Sequence, residues 1–284
     1  YPMTAVSSKQ LQVVYDKPMI YYPLATLMLA GIRDVMLIST PKDLPNFRAL
    51  LGTGEQFGIN IQYKEQARPG GIAEAFLYAA EFIGQDQVCL ILGDNLFYGK
   101  LNFLRKAVEA NLGGTVFGYA VNNPSEYGVV EFGANRQVVS IEEKPAKPKS
   151  KYAIPGLYIF DKDVVEIARN IQPSARGELE ITSLNDLYLK DGTLVAKVMG
   201  RGFAWLDTGT MDSLVEAASF VQIIEKRQSI KIAALEEIAY NRGWIDHERL
   251  MTAATRYGKS PYGEHLMRVA QGRIQYDRTN ADAE

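Results

Sequence analysis

Gln87–Gly99 reads Gln-Val-Cys-Leu-Ile-Leu-Gly-Asp-Asn-Leu-Phe-Tyr-Gly, which combines an apolar run with a polar turn. Val88–Leu92 favours a parallel strand covered by helices on both faces, although periodicity alone leaves a buried helix open. Ligands of open α/β sheets bind beyond the carboxyl ends of the strands, so we expect Asp94 in a ligand crevice. A carboxylate there suits a divalent metal beside a phosphate, although Gly93-Asp94-Asn95 is also ordinary turn chemistry.

Strands and helices alternate on both sides of this stretch. This alternation predicts a Rossmann-like, mostly parallel sheet flanked by helices, with right-handed crossovers. The predicted strands before residue 113 are Val35–Ser39, Ile59–Tyr63 and Val88–Leu92. The predicted helices are Leu44–Leu51, Ile72–Ile83 and Leu101–Asn111.

The pattern changes after Gly113, where strand-like segments follow one another without full helices between them. These segments predict an antiparallel insertion: Thr115–Val121, Gly128–Phe132, Val138–Glu142 and Tyr152–Phe160. From about Ala233 the chain predicts helices only. We therefore expect an α/β protein with a core over residues 1–230 and a C-terminal helical region over 231–284, disordered from about Arg273.

The composition excludes several classes of function. The net charge of −2 does not favour nucleic acid or an anionic membrane surface as a partner, and no stretch is long and apolar enough to span a bilayer. The single cysteine, Cys89, lies in the apolar run and indicates a buried thiol in a reducing, cytoplasmic compartment. Only two histidines are present, so a histidine-centred triad or metal site is not expected.

Five short polar segments carry the candidate chemistry. They are Ser8-Lys9-Gln10, Gln66–Glu74, Leu92–Asn95, Glu142–Pro145 and Trp205–Thr210. Each has a plain structural interpretation when taken singly. Lys9 is then a solvated charge, Glu143-Lys144 a salt bridge, and Asp207 the N-cap of the next helix, with Thr208 or Thr210 as competing caps.

The combination of these segments is more informative than any one of them. Two aspartates, Asp94 and Asp207, end strands far apart in sequence, and two lysines, Lys9 and Lys144, lie in tight loops. Lys144 precedes Pro145, which predicts an extended backbone that holds it rigidly. A metal and lysines are the equipment for transfer at phosphorus, where positioning and charge neutralisation dominate.

The chain resembles the bacterial glucose-1-phosphate thymidylyltransferases, or dTDP-glucose pyrophosphorylases, of the sugar nucleotidyltransferase superfamily. The resemblance follows the same order to about residue 270. It rests on Ser8–Leu11, Tyr15–Leu24, Leu29–Arg33, Leu92–Asn95, Tyr127–Phe132, Glu142–Pro145, Arg176–Thr182 and Gly200–Thr210. Leu-Gly-Asp-Asn alone indicates the superfamily, whereas Asp-Lys-Pro-Met-Ile-Tyr-Tyr-Pro and Arg-Gly-Glu-Leu-Glu-Ile-Thr are more specific to the thymidylyltransferase branch.

This resemblance implies the nucleotide-diphospho-sugar transferase fold and a Mg²⁺-dependent reaction of dTTP with α-D-glucose 1-phosphate. It implies that Asp94 and Asp207 bind the metal, that Lys144 holds the sugar phosphate and that Lys9 contacts the nucleotide phosphates. The remaining implied residues line pockets. Those for thymine are Gln66 and Gly71, and those for glucose are Tyr127, Gly128, Glu143 and Gly156.

The chain departs from the family pattern at a few places. The family starts with a β-strand and a loop of the form Gly-Gly-x-Gly-Thr-Arg-Leu, just before the Tyr-Pro that opens this sequence. Because that loop cradles the triphosphate, we expect a chain without it to be inactive and unstable, and the sequence to be an incomplete one. Gln12-Val13 replaces Leu-Pro, Gly70 stands where Asp is common, and Pro155 stands where Thr is common.

Two alternatives stay open at the level of sequence. One is the same chemistry with another substrate pair, such as UTP and glucose 1-phosphate, which the loop Gln66–Gly71 decides. The other is a non-catalytic nucleotide-sugar-binding or regulatory subunit. The resemblance also implies a homotetramer with an allosteric site at subunit contacts, and a role at the start of dTDP-rhamnose or related deoxysugar synthesis.

Overall fold

A computed structural model describes residues 2–274, and of Asn102 the backbone only. The first half alternates short strands and helices, as predicted. In chain order the elements are β1 (Val13–Val14), β2 (Lys17–Pro18), α1 (Tyr21–Leu29), β3 (Asp34–Ser39), α2 (Leu44–Leu51), β4 (Asn60–Glu65), α3 (Glu74–Tyr78), α4 (Ala80–Ile83), β5 (Val88–Ile91), β6 (Asn95–Tyr98) and α5 (Asn102–Glu109). The single helix predicted over Ile72–Ile83 is therefore two helices, since Ala79 leaves helical geometry at φ −92° and ψ 6°.

The second half contains the predicted insertion and the terminal helices. Its elements are β7 (Gly114–Ala120), β8 (Gly128–Phe132), β9 (Val138–Glu143), β10 (Tyr152–Ala153), β11 (Leu157–Phe160), α6 (Val164–Asn170), α7 (Ile181–Lys190), β12 (Leu194–Met199), β13 (Ala204–Asp207), α8 (Met211–Gln228), α9 (Leu235–Asn241), α10 (His247–Tyr257) and α11 (Pro261–Ala270). The strand predicted over Tyr152–Phe160 is two strands, because Pro155 has no N–H to give to a neighbouring strand.

Seven strands form the main sheet in the order β5-β11-β7-β10-β8-β9, and β12 pairs with β7. The α/β class with an antiparallel insertion is confirmed. β11 lies antiparallel between β5 and β7. Among the described residues, the strands that pair in parallel are β7 with β12 and β3 with β4. β6 and β13 form a separate antiparallel pair.

The strand β11 is buried on both faces of the main sheet. The prediction of a parallel strand at Val88–Leu92 is wrong in its direction, because β5 pairs antiparallel with β11, and the residues of β5 are half-buried. In β11, Tyr158 and Phe160 pack on the side of α3, α6 and α7, whereas Leu157 and Ile159 pack on the side of α5. Cys89 packs on the α5 side as a small hydrophobe, and burial raises the pKa of its thiol to about 12. The alternation of neighbouring residues is what a strand between two layers requires.

The helix α1 joins the first part of the chain to the last. Residues from Tyr21 to Met28 are all buried, and α1 shares one hydrophobic cluster with α9, α10 and α11. The C-terminal helices are confirmed, but a boundary at residue 230 stays a prediction. Most of the predicted disordered tail lies outside the described residues. Within residues 2–274, no helix has the length and apolar character needed to cross a membrane.

Candidate active site

The structure brings Lys9 and Asp94 into contact. Asp94 follows β5, and Lys9 lies in a short 3-10 turn in the loop before β1. The Lys9 Nζ lies 2.6 Å from Asp94 Oδ2, and about a fifth of each side chain is exposed. Lys9 is therefore an ion-pair partner of the turn after β5, and the interpretation as a merely solvated charge is wrong.

The second aspartate, Asp207, ends β13 beside the same turn. Asp207 lies opposite Asn95 in the β13–β6 pair, and the next residue, Thr208, donates its N–H and its hydroxyl to the Asp94 carbonyl at 3.1 and 2.8 Å. Asp207 does not cap α8, because the side chain of Thr210 accepts the Ser213 N–H there. The two aspartates predicted from strand ends thus converge.

The electrostatic surroundings of Asp207 change the pKa of its carboxyl. Burial and the negative charge of Asp94 raise the pKa of the Asp207 carboxyl, while Lys9 and Lys144 act in the opposite direction. Two carboxylates and a partly dehydrated setting are the oxygen-donor chemistry that Mg²⁺ accepts, with substrate phosphates and water completing its shell. No group of three or more acidic, histidine or cysteine side chains suited to a metal is found in residues 2–274. Asp94 and Asp207 therefore fit a metal that is shared with a bound phosphate.

The buried side chain of Asn95 fixes the turn that carries Asp94. Asn95 is 3% exposed. The Asn95 Oδ1 accepts the Trp205 indole N–H at 2.7 Å and the Gly156 N–H at 3.0 Å, while its Nδ2 donates to Asp94 Oδ1 at 3.0 Å. Gly156 leaves no room for a side chain, since a Cβ would lie 2.6 Å from Leu92. Gly156 lies behind Asn95, and its place in a glucose pocket stays a prediction.

A cavity of about 180 Å³ gathers most of the other residues predicted for sugar binding. Tyr127, Gly128 and Glu143 line it, together with Lys144 and Asp207. The Glu143 carboxylate accepts a hydrogen bond from the Thr182 hydroxyl at 2.5 Å, and no ion pair joins Glu143 to Lys144 within residues 2–274. Burial, and then the charges of Asp207 and Glu126, raise the pKa of the Tyr127 phenol.

Asn185 in the same cavity was missed by sequence reasoning. Its side chain is 1% exposed, and its Oδ1 has no hydrogen-bond partner among the described residues. The sequence did contain a signal. Asn185 lies on the buried face of α7 with Ile181, Leu184 and Tyr188, where an apolar residue is expected. A buried amide oxygen without a partner is costly, and a ligand hydroxyl would satisfy it.

The backbone of Lys144 corrects one prediction. Its φ is 42°, which lies in the left-handed region and not in the extended region expected before Pro145. The Lys144 N–H donates to the Tyr127 carbonyl at 3.0 Å as the chain turns out of β9. Strained residues of this kind gather at functional sites because the surroundings over-determine them.

A larger cavity of about 910 Å³ lies next to the smaller one and shares Glu143 and Lys144 with it. Its lining includes apolar side chains of β3 and β5 as well as polar residues. The lining includes Gln66 and Gly71, whose role in reading the base stays a prediction, and also Ser8, whose buried hydroxyl has no partner within residues 2–274.

Comparison with known proteins agrees with this geometry. A family model described as nucleotidyl transferase matches residues 1–223. A curated glucose-1-phosphate thymidylyltransferase of Neisseria meningitidis is 55% identical over 271 residues, which cover 95% of this chain and 94% of the relative. One of Mycobacterium tuberculosis strain H37Rv is 54% identical over 272 residues, with the same coverage of 95% and 94%. The resemblance found in the sequence is confirmed.

Solved structures lead to the same fold. A Bacillus anthracis protein assigned as a glucose-1-phosphate thymidylyltransferase, crystallised with sucrose, aligns with a TM-score of 0.72 and 38% identity over 78% of this chain and 89% of its own. A UDP-glucose pyrophosphorylase bound to UDP-glucose aligns with a TM-score of 0.69, over 80% of this chain and 94% of its own. At 21% identity the second structure supports the fold alone.

Proposed function

The chain belongs to the nucleotidyl transferase family, and we propose that it joins dTTP to α-D-glucose 1-phosphate, giving dTDP-glucose and pyrophosphate. The names of the relatives at 54–55% identity support this choice of substrates. The observation that carries the proposal is the pair of adjoining cavities. They share Glu143 and Lys144, and Asp207 lines the smaller one.

The reaction needs no protein nucleophile. An oxygen of the sugar phosphate attacks the α-phosphorus of dTTP in line, and a new P–O bond forms. The bond from the α-phosphorus to the oxygen bridging to the β-phosphate breaks, and pyrophosphate leaves with that electron pair. Catalysis then consists of alignment and of neutralising negative charge at the α-phosphate.

The two lysines and two aspartates have separate tasks. Lys144 lies where the cavities adjoin and holds the sugar phosphate, and Lys9 contacts the nucleotide phosphates. Asp94 and Asp207 would hold Mg²⁺, which when bound supplies positive charge to the phosphate oxygens. Lys9 balances the charge of Asp94 in the ion pair, and it exchanges that partner for phosphate when the nucleotide binds.

The two substrates are recognised by different cavities. Gln66 and Gly71, which line the larger cavity, read the base. Tyr127, Gly128 and Glu143 line the glucose pocket, with Gly156 behind it. The Thr182 hydroxyl donates to Glu143 and so fixes the carboxylate as an acceptor for sugar hydroxyls.

The wider role is part of the same proposal. The enzyme works in the cytoplasm as a homotetramer at the start of dTDP-rhamnose or related deoxysugar synthesis. One feature that supports association is an apolar stripe on α8, where Met211, Val215 and Ile223 are 44%, 65% and 57% exposed. These residues recur at helical spacing and therefore share one face. Light scattering coupled to size exclusion tests the tetramer, and a monomeric mass would overturn it.

Pyrophosphate release tests the reaction. In this and the later assays the chain carries the family's strand and Gly-rich loop before Tyr1, and the chain that begins at Tyr1 is run beside it. Each is supplied with glucose 1-phosphate and either dTTP or UTP, with Mg²⁺ or with EDTA, and a reaction without sugar phosphate is the control. We expect turnover with dTTP that requires both Mg²⁺ and the sugar phosphate. Turnover with UTP alone would select the alternative substrate pair. Folded protein without turnover on either nucleotide would favour the binding-subunit alternative.

A further inference from the structure

Glu74 lies next to the proposed base-reading residue. Gln66 follows β4, and its backbone N–H donates to the Ser39 carbonyl at 2.8 Å, which ties the start of the loop to β3. The side-chain Nε2 of Gln66 donates to Glu74 Oε2 at 2.7 Å. The backbone and the side-chain amide of Gln66 are therefore both held by the protein before a ligand binds.

This hydrogen bond decides which end of the Gln66 amide is presented to a ligand. An ionised carboxylate can only accept hydrogen bonds, so it must face the amide NH₂ and not the amide carbonyl. A glutamine without such a neighbour can turn its amide over and present either end. Beside Glu74, the carbonyl oxygen Oε1 of Gln66 is the end left for the ligand.

Gly71 supplies the complementary donor. Leu179 clamps the loop, because its N–H donates to the Gly70 carbonyl at 2.8 Å and its carbonyl accepts the Ala73 N–H at 3.1 Å. Gly71 has a φ of 98°, and a Cβ there would overlap the backbone of Leu179. In residues 2–274 neither the Gly71 N–H nor the Gln66 Oε1 has a hydrogen-bond partner. The loop thus offers one acceptor and one donor.

This pair of groups fits one class of base. Thymine and uracil carry an imide edge, in which the N3–H donor stands beside the O4 acceptor, whereas cytosine carries the reverse pattern of N3 acceptor and N4 amino donor. We propose that Glu74 is a positioning residue that fixes the amide of Gln66, so that the site accepts an imide base and rejects cytosine. This inference rests on the proposed function and adds the origin of its base selectivity.

The absence of a side chain on Gly70 leaves room for the Glu74 carboxylate. A Cβ on Gly70 would overlap the Glu74 carboxylate, and the backbone of Gly70 is not in the left-handed region. A side chain at position 70 would therefore push the Glu74 carboxylate away without backbone strain. The Gly70-Gly71 pair, which departs from the common Pro-Asp-Gly pattern, is accounted for by the presence of Glu74.

A purely structural role for Glu74 makes a different prediction. Glu74 begins α3, and an acidic residue in the first turn stabilises a helix through its dipole. On that interpretation, removal of the carboxylate lowers stability and leaves the preference between bases unchanged. The preference between imide and non-imide bases therefore separates the two roles.

The experiment compares Glu74→Ala and Gly70→Ala with the wild type and with Glu81→Ala, an exposed acid at the start of α4. The readouts are kcat/KM for dTTP and for dCTP with glucose 1-phosphate. A third substrate, N3-methyl-dTTP, lacks the imide hydrogen. We expect the wild type to prefer dTTP over dCTP by about 100-fold or more. Both loop variants should lower that ratio about 10-fold, and the penalty for N3-methylation should shrink as well.

The outcomes separate this inference from the proposed function. If wild-type protein releases no pyrophosphate from dTTP, the proposed reaction fails, and calorimetric binding of dTTP and dCTP then tests Glu74 alone. If Glu74→Ala does not fold, Gly70→Ala carries the test, because it keeps the carboxylate and only displaces it. The inference would be overturned if the ratio of kcat/KM for dTTP to kcat/KM for dCTP were unchanged in the folded loop variants. A fall of the same ratio in Glu81→Ala would also overturn it.

Discussion

The ammonium group of Lys9 lies 2.6 Å from a carboxylate oxygen of Asp94. The contact joins the loop before β1 to the turn after β5, and the Asp94 carbonyl is in turn bound by Thr208 after β13. Three distant parts of the chain therefore converge on one aspartate. The ion pair holds the Lys9 ammonium beside Asp94, so only its partner needs to change when a nucleotide phosphate binds.

Asp94→Asn should lower kcat by about 100-fold or more with little loss of stability. The substitution removes a charge that would hold the metal, yet the new amide oxygen can still accept the hydrogen bond from Asn95 Nδ2. Pyrophosphate release and thermal unfolding measure the two effects. The control is Asp86→Asn, which changes an exposed aspartate. Unchanged turnover would remove Asp94 from the metal site.

Asp207→Asn should stabilise the protein while it lowers turnover. The folded-state pKa of Asp207 is raised by burial and by Asp94, so its ionised form costs stability at every pH above that pKa. In EDTA at pH 7–8, we expect the variant to unfold about 1–3 °C higher. As the pH falls through the folded pKa towards the ordinary value of 3.8, wild-type Asp207 is protonated and the advantage disappears. A variant with a lower melting temperature at neutral pH would contradict this account.

Lys144→Ala should mainly weaken the use of the sugar phosphate. A lost charge-assisted contact is worth about 10- to 100-fold in KM for glucose 1-phosphate, and KM for dTTP should change much less. Steady-state kinetics with each substrate varied in turn measures both constants. Lys147→Ala, an exposed lysine in the same loop, is the matched control. Equal changes in the two KM values would assign Lys144 to the nucleotide phosphates as well.

Much of this fold follows from local sequence patterns. The bounds of α2 and β8 agree with prediction to the residue, because apolar runs ended by Gly or Pro leave little freedom. The convergence of Asp94 and Asp207 also follows, since both end strands. The place of β11 between β5 and β7 does not follow, because strand partners far apart in sequence are chosen by packing and not by local preference.

The finer parts of the site depend on side-chain neighbours that a sequence does not specify. The hydrogen bond from Gln66 to Glu74 depends on how the loop turns over Leu179. The left-handed backbone of Lys144 overrides the preference imposed by its proline, because its N–H is bound to Tyr127. Such features are set by tertiary contacts, which override local conformational preference at functional sites.

Asn185→Leu should separate sugar binding from stability. The substitution keeps the number and branching of the side-chain heavy atoms and removes the unpartnered amide oxygen, so the free energy of unfolding should be equal or higher by about 1 kcal/mol. If a sugar hydroxyl bonds to that oxygen, kcat/KM for glucose 1-phosphate should fall about 10-fold. Urea unfolding and initial rates provide the two readouts. A stable variant with undiminished kcat/KM would show that the sugar does not use Asn185.

Lys17→Met should destabilise the protein by about 3–5 kcal/mol, because Lys17 belongs to a buried charge network. Lys17 Nζ lies 3.1 Å from Glu225 Oε1 and 2.5 Å from Asp16, and Lys231 binds the same two acids at 2.5 Å. The side chains of Lys17 and Glu225 are each 3% exposed. Removing one cation leaves a buried negative charge that is not compensated, and the free energy of unfolding from urea titration measures the cost.

The double variant Lys17→Met/Glu225→Leu tests that cause. It leaves Lys231 paired with Asp16, so the charges again balance, and only the Ile232 N–H loses its acceptor. We expect the double variant to be more stable than Lys17→Met alone, since a buried ion pair is often replaced by apolar side chains at little cost. Lys226→Met, exposed on the same helix, should change stability by less than about 0.5 kcal/mol. A double variant less stable than Lys17→Met would mean that lost packing, and not an unbalanced charge, causes the damage.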